Sequence, residues 1–469
     1  MREGPDMATD KREDALNRED EEDAYGLNDE TVQHIRESLD QDNVNAVRQQ
    51  MAELHSADIA DLIEHLKPKH RSKLLDVADD LVEPEVFSDL DDAVREDLVD
   101  EMETSEIAEL VNELELEDAL DVLGDLEDDE QQDVLNELPA ENRLVMEEGL
   151  SYPEDTAGRL MQRDFIAVPE YWNIGQTIDY LRETDDLPDD FYEIFVVDPR
   201  HHPIGTLPLD HVMRSRRHVP VSDIMLREQK LISVDMDQEE VAYLFQQYRL
   251  MSAAVVNEHG ALIGMITVDD IVDVINEEAE EDILRLGGVG DDDLFGSILD
   301  TAKTRFTWLL VNLFTAILAS IAISFFDAAL EQVIALAVLM PIVASMGGNA
   351  GTQSLTVAVR AIATRELTAS NMYRILGKEA LVAFLNGSVF ALLIGLVTWV
   401  WFGDVTIGWI IALAMVVNML VAGIAGITIP IILERQGIDP AVASSVFVTT
   451  ITDILGFVAF LGIASIVLL

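Results

Sequence analysis

The stretch MPIVASMGGNAGTQSLTVAVR (340–360) is apolar at its ends and polar in its middle. Pro341 withholds a helical donor, and Gly347, Gly348 and Gly351 loosen a helix backbone. Asn349, Thr352 and Gln353 stand in the same run. Irregular backbone at membrane depth survives only against protein or water, so the run predicts an irregular span beside a cavity rather than a lipid anchor. Close helix packing through small residues would account for the glycines but leaves the Asn and Gln unexplained. A second stretch, DPAVASSVFVTTITDILGFVAF (439–460), places Asp453 midway along an apolar run, with Thr449, Thr450 and Thr452 around it. A carboxylate at that depth costs about 2.5–3.5 kcal/mol on insertion scales and usually faces a bundle interior or an aqueous path. Asp439 precedes it by 14 residues. At about 100° and 1.5 Å per residue, the two lie on nearly one helical face, about 21 Å apart. One carboxylate at a mouth and one deep inside is what a cation path requires. Two such acids also bring an aspartyl protease to mind, but Asp439 lies at the membrane edge and no Gly-x-Gly-Asp context is present.

Working outward, five runs are nearly free of charge: 306–326, 332–359, 380–403, 405–433 and 440–469. About 20 residues cross the hydrocarbon core, so each run qualifies as a span. Lys303 and Arg305 precede the first run, Arg360, Arg365, Arg374 and Lys378 lie between the second and third, and Arg435 lies between the fourth and fifth. The other two connections carry Asp327, Glu331 and Asp404 and no base. Positive residues favour the cytoplasm, which predicts a multi-pass protein of the cytoplasmic membrane. Its N-terminus and soluble part would be cytoplasmic and its C-terminus outside. The N-terminus, MREGPDMATDKRED, has no apolar run, so no cleavable signal peptide is expected.

The formal net charge is −59, yet from Thr304 onward there are only eight acids and six bases. The first 303 residues therefore hold 81 acids and 24 bases, a net of −57. Such a surface repels nucleic acid and anionic lipid and attracts cations. Adaptation to a salt-rich cytoplasm explains the bulk of this excess, so acidity alone identifies no cation site. The absence of cysteine excludes disulfides and thiolate metal sites.

Residues 1–27 read as a disordered acidic tail, and 28–154 as a helical domain. LHSADIADLIEHL (54–66) matches METSEIAELVNEL (102–114) at a spacing of 48, as in a small solenoid of short helices. A second repeat pairs EIFVVDPRHHPIGTLPLD (193–210) with SAAVVNEHGALIGMITVD (252–269) at a spacing of 59. Each copy reads as a strand, a turn, a second strand starting at Gly205 or Gly264, and a helix. His201, His202, His211 and His218 lack metal-ligand spacing and are read as incidental. The repeat resembles a tandem pair of CBS domains, with copies at 155–218 and 219–278. That resemblance implies adenine-nucleotide (ATP) binding through a Thr/Ser-x-x-Asp pair, present as Thr267 and Asp270. The first copy has Pro208 and His211 instead. An acidic helical segment, 279–303, follows and runs directly into the first span.

This order of parts, with MPIVASMGGNAGTQ and TTITDILGF in the spans, resembles the MgtE family of magnesium channels and transporters. The expected fold class is a multidomain membrane protein with an α-helical solenoid N-domain, an α/β CBS pair and a polytopic α-helical transmembrane domain of five spans (304–469). The resemblance implies a non-enzymatic homodimer in the lipid bilayer with a pore between protomers. It implies that Asp453 binds hydrated Mg2+, Asp439 lies at the cytoplasmic mouth, and Gly348, Asn349, Gln353, Thr449 and Thr450 line the pore. It places sensor acids for cytosolic Mg2+ at Asp270, Asp273, Glu278, Glu281, Asp282 and Glu239, closing the pore through the 279–303 plug helix. Gln246 and Arg249 depart from the small or acidic residues of the family pattern, and Glu106 and Glu109 are the nearest N-domain partners that the sequence offers. Two other functions fit the same parts: a CBS-regulated carrier of Co2+ or Mn2+, and a membrane-anchored nucleotide sensor.

Overall fold

The apolar periodicity of the N-terminal half becomes a run of short helices from Asp29–Asp40 to Ala140–Leu150 in a computed structural model. The residues described are 27–184, 187–188, 191–289, 298–368 and 370–468; the tail expectation for 1–26 lies outside them. The first repeat forms helices Ser56–His65 and Thr104–Glu113, and both open on a capping box, with Asp58 and Glu106 as the reciprocal carboxylates. Ile59, Leu62 and Ile63 in one copy, and Ile107, Leu110 and Val111 in the other, are buried at helical spacing, which makes each helix one amphipathic layer.

The second repeat forms two three-stranded sheets. In each, the first strand (β1, Ala167–Pro169; β4, Leu231–Ser233) runs parallel to the second (β2, Glu193–Val197; β5, Ser252–Val256). The second strand pairs antiparallel with the third (β3, Pro203–Pro208; β6, Leu262–Thr267). Even the register shift recurs, at Val196/Val197 and Val255/Val256. The sheets meet through Phe195, Val197, Ala254, Leu262 and Met265. The third strands begin two residues before Gly205 and Gly264, not at them. Each glycine sits inside its strand because a neighbouring backbone crosses there: a Cβ would lie 2.7 Å from the Leu226 carbonyl or 2.8 Å from that of Gln162.

The chain divides into two compact units, Met1–Val274 and Ile275–Leu469. Helix Val268–Gly287 starts at the end of the second copy and crosses this division. The 279–303 helix expected from the sequence is therefore the tail of a longer one, and it does not run directly into the first span. It stops because Gly288 takes a left-handed conformation (φ 69°). The amide of Gly288 donates to Arg285 O and that of Val289 to Leu284 O, a glycine-terminated C-cap.

Among the described residues, the second unit contains five helices long and apolar enough to cross a membrane: Ile298–Ser324, Ile334–Ala363, Met372–Phe402, Val405–Glu434 and Pro440–Leu468. The fourth is the axis of the bundle, with 67% of its most apolar window buried against 6% for the first. The second span corrects the sequence expectation. It is one continuous helix from Ile334 to Ala363 with Pro341 inside, so its glycines serve close packing rather than a break.

Candidate ion path and acidic cluster

The second span meets the fourth and fifth through its glycine face. A Cβ at Gly351 would lie 2.5 Å from Val448, and one at Gly426 of the fourth span would lie 2.7 Å from the Gly351 carbonyl. Asn418 of the fourth span is fully buried there. Its Nδ2 donates to the Val343 carbonyl at 2.8 Å, while its Oδ1 has no hydrogen-bond partner among the described residues. Gly347 and Gly456 lie on either side of this amide, and a Cβ at Gly456 would come within 2.8 Å of it. Sequence reasoning missed Asn418, although it is the one amide within the apolar fourth span.

The opposite face of the second span is polar and exposed. Ser345, Asn349, Thr352, Gln353 and Thr356 are all exposed and recur at helical spacing on one side. Gly348 borders this face, 3.5 Å in Cβ terms from Thr449 of the fifth span. Thr449 is exposed, Thr450 half-buried and Thr452 buried. Each donates its hydroxyl to a carbonyl of its own helix, which leaves only oxygen lone pairs for anything else. Asp453 is half-buried one turn further along, and among the described residues no donor or charge faces its carboxylate.

Asp439 is fully engaged. Its Oδ1 accepts the Ala441 N–H at 2.7 Å, and its Oδ2 accepts Arg285 Nη1 at 2.7 Å. It is thus the N-cap of the fifth span, with Pro440 as the first helical residue. Glu281 pairs with the same guanidinium. Burial, and then the negative charge of Asp439, raise the Asp282 carboxyl above its usual range.

In the first unit, Asp270 sits in a carboxylate cluster. Gln162 Nε2 lies 2.7 Å from Glu115 Oε2, 2.8 Å from Glu117 Oε1, and 3.4 Å from both oxygens of Asp270. Burial and the neighbouring Asp270 push the Glu117 carboxyl well up. Burial with Asp121 takes Asp118 to about 7, and burial raises Asp270 to about 6 despite two hydrogen bonds from Thr267. Those bonds, from Thr267 Oγ1 at 2.9 Å and its N–H at 3.2 Å, make the Thr-x-x-Asp pair a helix cap. Burial and then the charge of Asp273 raise the Asp89 carboxyl, and burial and then Asp269 raise that of Asp273. Glu115, Glu117, Asp118 and Asp89 are therefore the N-domain acids that approach this helix. Glu106 caps its own helix through the Glu103 N–H, and Glu109 is exposed. Their helix face carries no signal from which the sequence could have chosen among so many acids.

Glu239 is exposed in the first turn of Gln238–Tyr248, Gln246 is exposed, and Arg249 ends that helix with φ 54°. Glu278 is half-buried on the long helix. His202 pairs with Asp198, and His211 contacts the Ile224 carbonyl. Among the described residues, no three His, Asp or Glu side chains are spaced to enclose a metal ion. In the Gln162 cluster the amide Nε2, rather than an ion, is the donor that the carboxylates surround.

Comparison with known proteins follows this division. A family model described as a divalent cation transporter (MgtE) matches 340–463, the MgtE intracellular N domain matches 54–155, and the CBS domain matches 221–277. The magnesium transporter MgtE of Thermus thermophilus is 33% identical over 441 residues, covering 92% of this chain and 98% of that protein. The Bacillus subtilis protein of the same name is 33% identical over 319 residues, 67% of this chain and 70% of that one. A solved cytosolic domain of the Mg2+ channel MgtE in complex with ATP aligns at 30% identity with a TM-score of 0.47, over 52% of this chain and 99% of that domain.

Proposed function

The chain belongs to the MgtE family, and from that premise we propose that it transports magnesium across the cytoplasmic membrane through a pore between two copies of itself. Its membrane-embedded character follows from the family and the five candidate spans among the described residues, and a transporter role rather than catalysis is the reading that fits them. The observation that carries the pore is the exposed polar stripe Ser345, Asn349, Thr352, Gln353 and Thr356. Polar side chains on a membrane helix face protein or water rather than lipid, and here their own bundle leaves them uncovered. A second copy placed across this face would put two Asp453 carboxylates around one aqueous path. Magnesium surrenders its water reluctantly, and a ring of carboxylates holding a hydrated ion suits it. The basic connections favour a topology with the Asp439 end and the soluble unit in the cytoplasm and the C-terminus outside.

The test is flux into vesicles carrying the reconstituted protein. Asp453→Asn keeps the shape and removes the charge, and it should abolish Mg2+ flux while the assembly still elutes like wild type. Wild-type flux from that variant would sink the electrostatic pore. Competition by Co2+ and Mn2+ in the same vesicles decides whether the carrier reading for those ions survives.

Closure by cytosolic magnesium rests on Asp270, Asp273, Glu278, Glu281, Asp282 and Glu239 together with the N-domain acids. Carboxylates that crowd one another repel until a divalent ion joins them, so ion binding favours the compact state. A nucleotide at Thr267 and Asp270 would have to replace the capping hydrogen bonds described above. Calorimetry with ATP on the full chain, and its weakening in Asp270→Ala, checks this; no heat at millimolar ATP leaves the CBS pair an ion-sensing scaffold alone.

A further inference from the structure

The acids at the end of the long helix already hold a cation that belongs to the chain. Arg285 lies one turn beyond Glu281 and three residues beyond Asp282. Its guanidinium donates to Asp439 Oδ2 at 2.7 Å and pairs with Glu281. This contact is docked rather than dangling. The next residue, Leu286, packs against the cluster of Leu355, Val359, Ala425, Ile429 and Val448, which belong to the second, fourth and fifth spans. Two residues further, Gly288 ends the helix with its Cβ position 3.4 Å from Trp308 of the first span. The helix terminus is therefore gripped from both sides while Arg285 covers the free oxygen of Asp439.

We infer that Arg285 is a tethered cation at the mouth of the ion path, and that a divalent ion occupies the Asp439 end only by exchanging with this guanidinium. The inference rests on the reading that Asp439 and Asp453 belong to one path. A guanidinium has five donors and no acceptor, and it stays charged at every working pH. It satisfies Glu281 and Asp439 with one positive charge, and among the described residues no cation pairs with Asp282. A hydrated divalent ion brings two charges to the same three carboxylates and donates hydrogen bonds from its water, so it can replace the fork. A tethered group acts at an effective concentration of about millimolar or above. Monovalent ions, bound less strongly, displace it poorly. Arg285 would thus set the divalent concentration at which this end fills, and would keep the mouth closed to monovalent cations when magnesium is scarce.

The experiment uses the full chain in vesicles and reads two quantities: Mg2+ flux, and the Mg2+ concentration that half-protects the long helix from protease. Arg285→Gln should lower the half-protecting concentration about tenfold, since three carboxylates lose their internal competitor. It should also admit Na+ or K+ when divalent ions are absent. Arg285→Lys retains a point charge and should stay within about threefold of wild type. In an Asp439→Asn background, Arg285→Gln should produce no further shift. An unchanged or raised half-point in Arg285→Gln overturns the proposal, as does an equal shift in the Asp439→Asn background. Where Arg285→Gln fails to assemble, the Arg285→Lys and Asp439→Asn half-points decide: a shift in Asp439→Asn with none in Arg285→Lys supports exchange, and any other pattern overturns it. The Asp453→Asn flux test is independent: wild-type flux there removes the path, and the protection half-point still reports exchange at Asp439.

Discussion

Asp270 and Asp453 are both partly buried aspartates on helices, and their surroundings are opposite. Asp270 receives two hydrogen bonds from Thr267 and shares the Gln162 amide with Glu115 and Glu117. Asp453 has no donor or charge beside it among the described residues. In the crowded setting, each carboxylate is one of several, and burial, neighbouring charges and hydrogen bonds set its proton affinity together. In the sparse setting, one carboxylate supplies the whole charge. Acidic residues are abundant in the first unit and rare in the spans of the second, so neutralising one removes a small share of the local charge in the first and nearly all of it in the second.

The glycine packing against Asn418 in the same bundle offers the largest effect. Gly347→Leu would drive a branched side chain into the buried, hydrogen-bonded Asn418 amide. Overpacking a core costs about 1–3 kcal/mol, and here the amide also loses its place, so we expect little assembled protein in detergent. A normal yield with wild-type flux would show that the three-helix contact is looser than it looks. The crowded site should respond by degrees. Asp270→Asn alone should weaken magnesium-dependent closure about twofold to fivefold, and Glu117→Gln, Asp118→Asn and Asp270→Asn together more than tenfold, since neighbouring groups are not additive. The control is neutralisation of Asp20, Glu21, Glu22 and Asp23. Equal loss of protease protection in that control would make the cluster ordinary surface charge. Protection by millimolar Mg2+ should also survive molar KCl, where the Debye length is about 3 Å.

The smallest effect is on pH. Asp118 titrates near 7, and Asp121 and Asp270 near 6, because burial disfavours their charged forms. These carboxyls bind protons more tightly folded than unfolded. The stability they contribute is complete below the ordinary aspartate value and is lost as pH rises through about 6 to 7. Without divalent ions, the melting temperature of the full chain should therefore fall between about pH 5 and pH 8, and millimolar Mg2+ should flatten that fall. A melting temperature that rises over this range without Mg2+ would contradict the burial of these acids.

Much of this was legible in the chain. Five spans follow from hydropathy, because lipid tolerates no unsatisfied backbone. Both repeats follow from spacing, because equal cores need equal apolar positions: Ile59, Leu62 and Ile63 recur as Ile107, Leu110 and Val111. Asp453 stood out because a lone acid in an apolar run has a cost that must be met. Tertiary structure alone decided the rest. Pro341 and three glycines read as a break, yet neighbouring helices hold the second span continuous, and local propensity is a weak prior against packing. Glu115, Glu117, Asp118 and Asp89, rather than Glu106 and Glu109, face the long helix. No local pattern marks them, since which acid meets which depends on how two domains dock. Asp439 read as a mouth carboxylate from its spacing, and what the fold shows is Asp439 capping a helix and holding Arg285, 154 residues away in the chain. Spacing along one helix is local and readable, whereas a contact between distant segments exists only once the chain has folded.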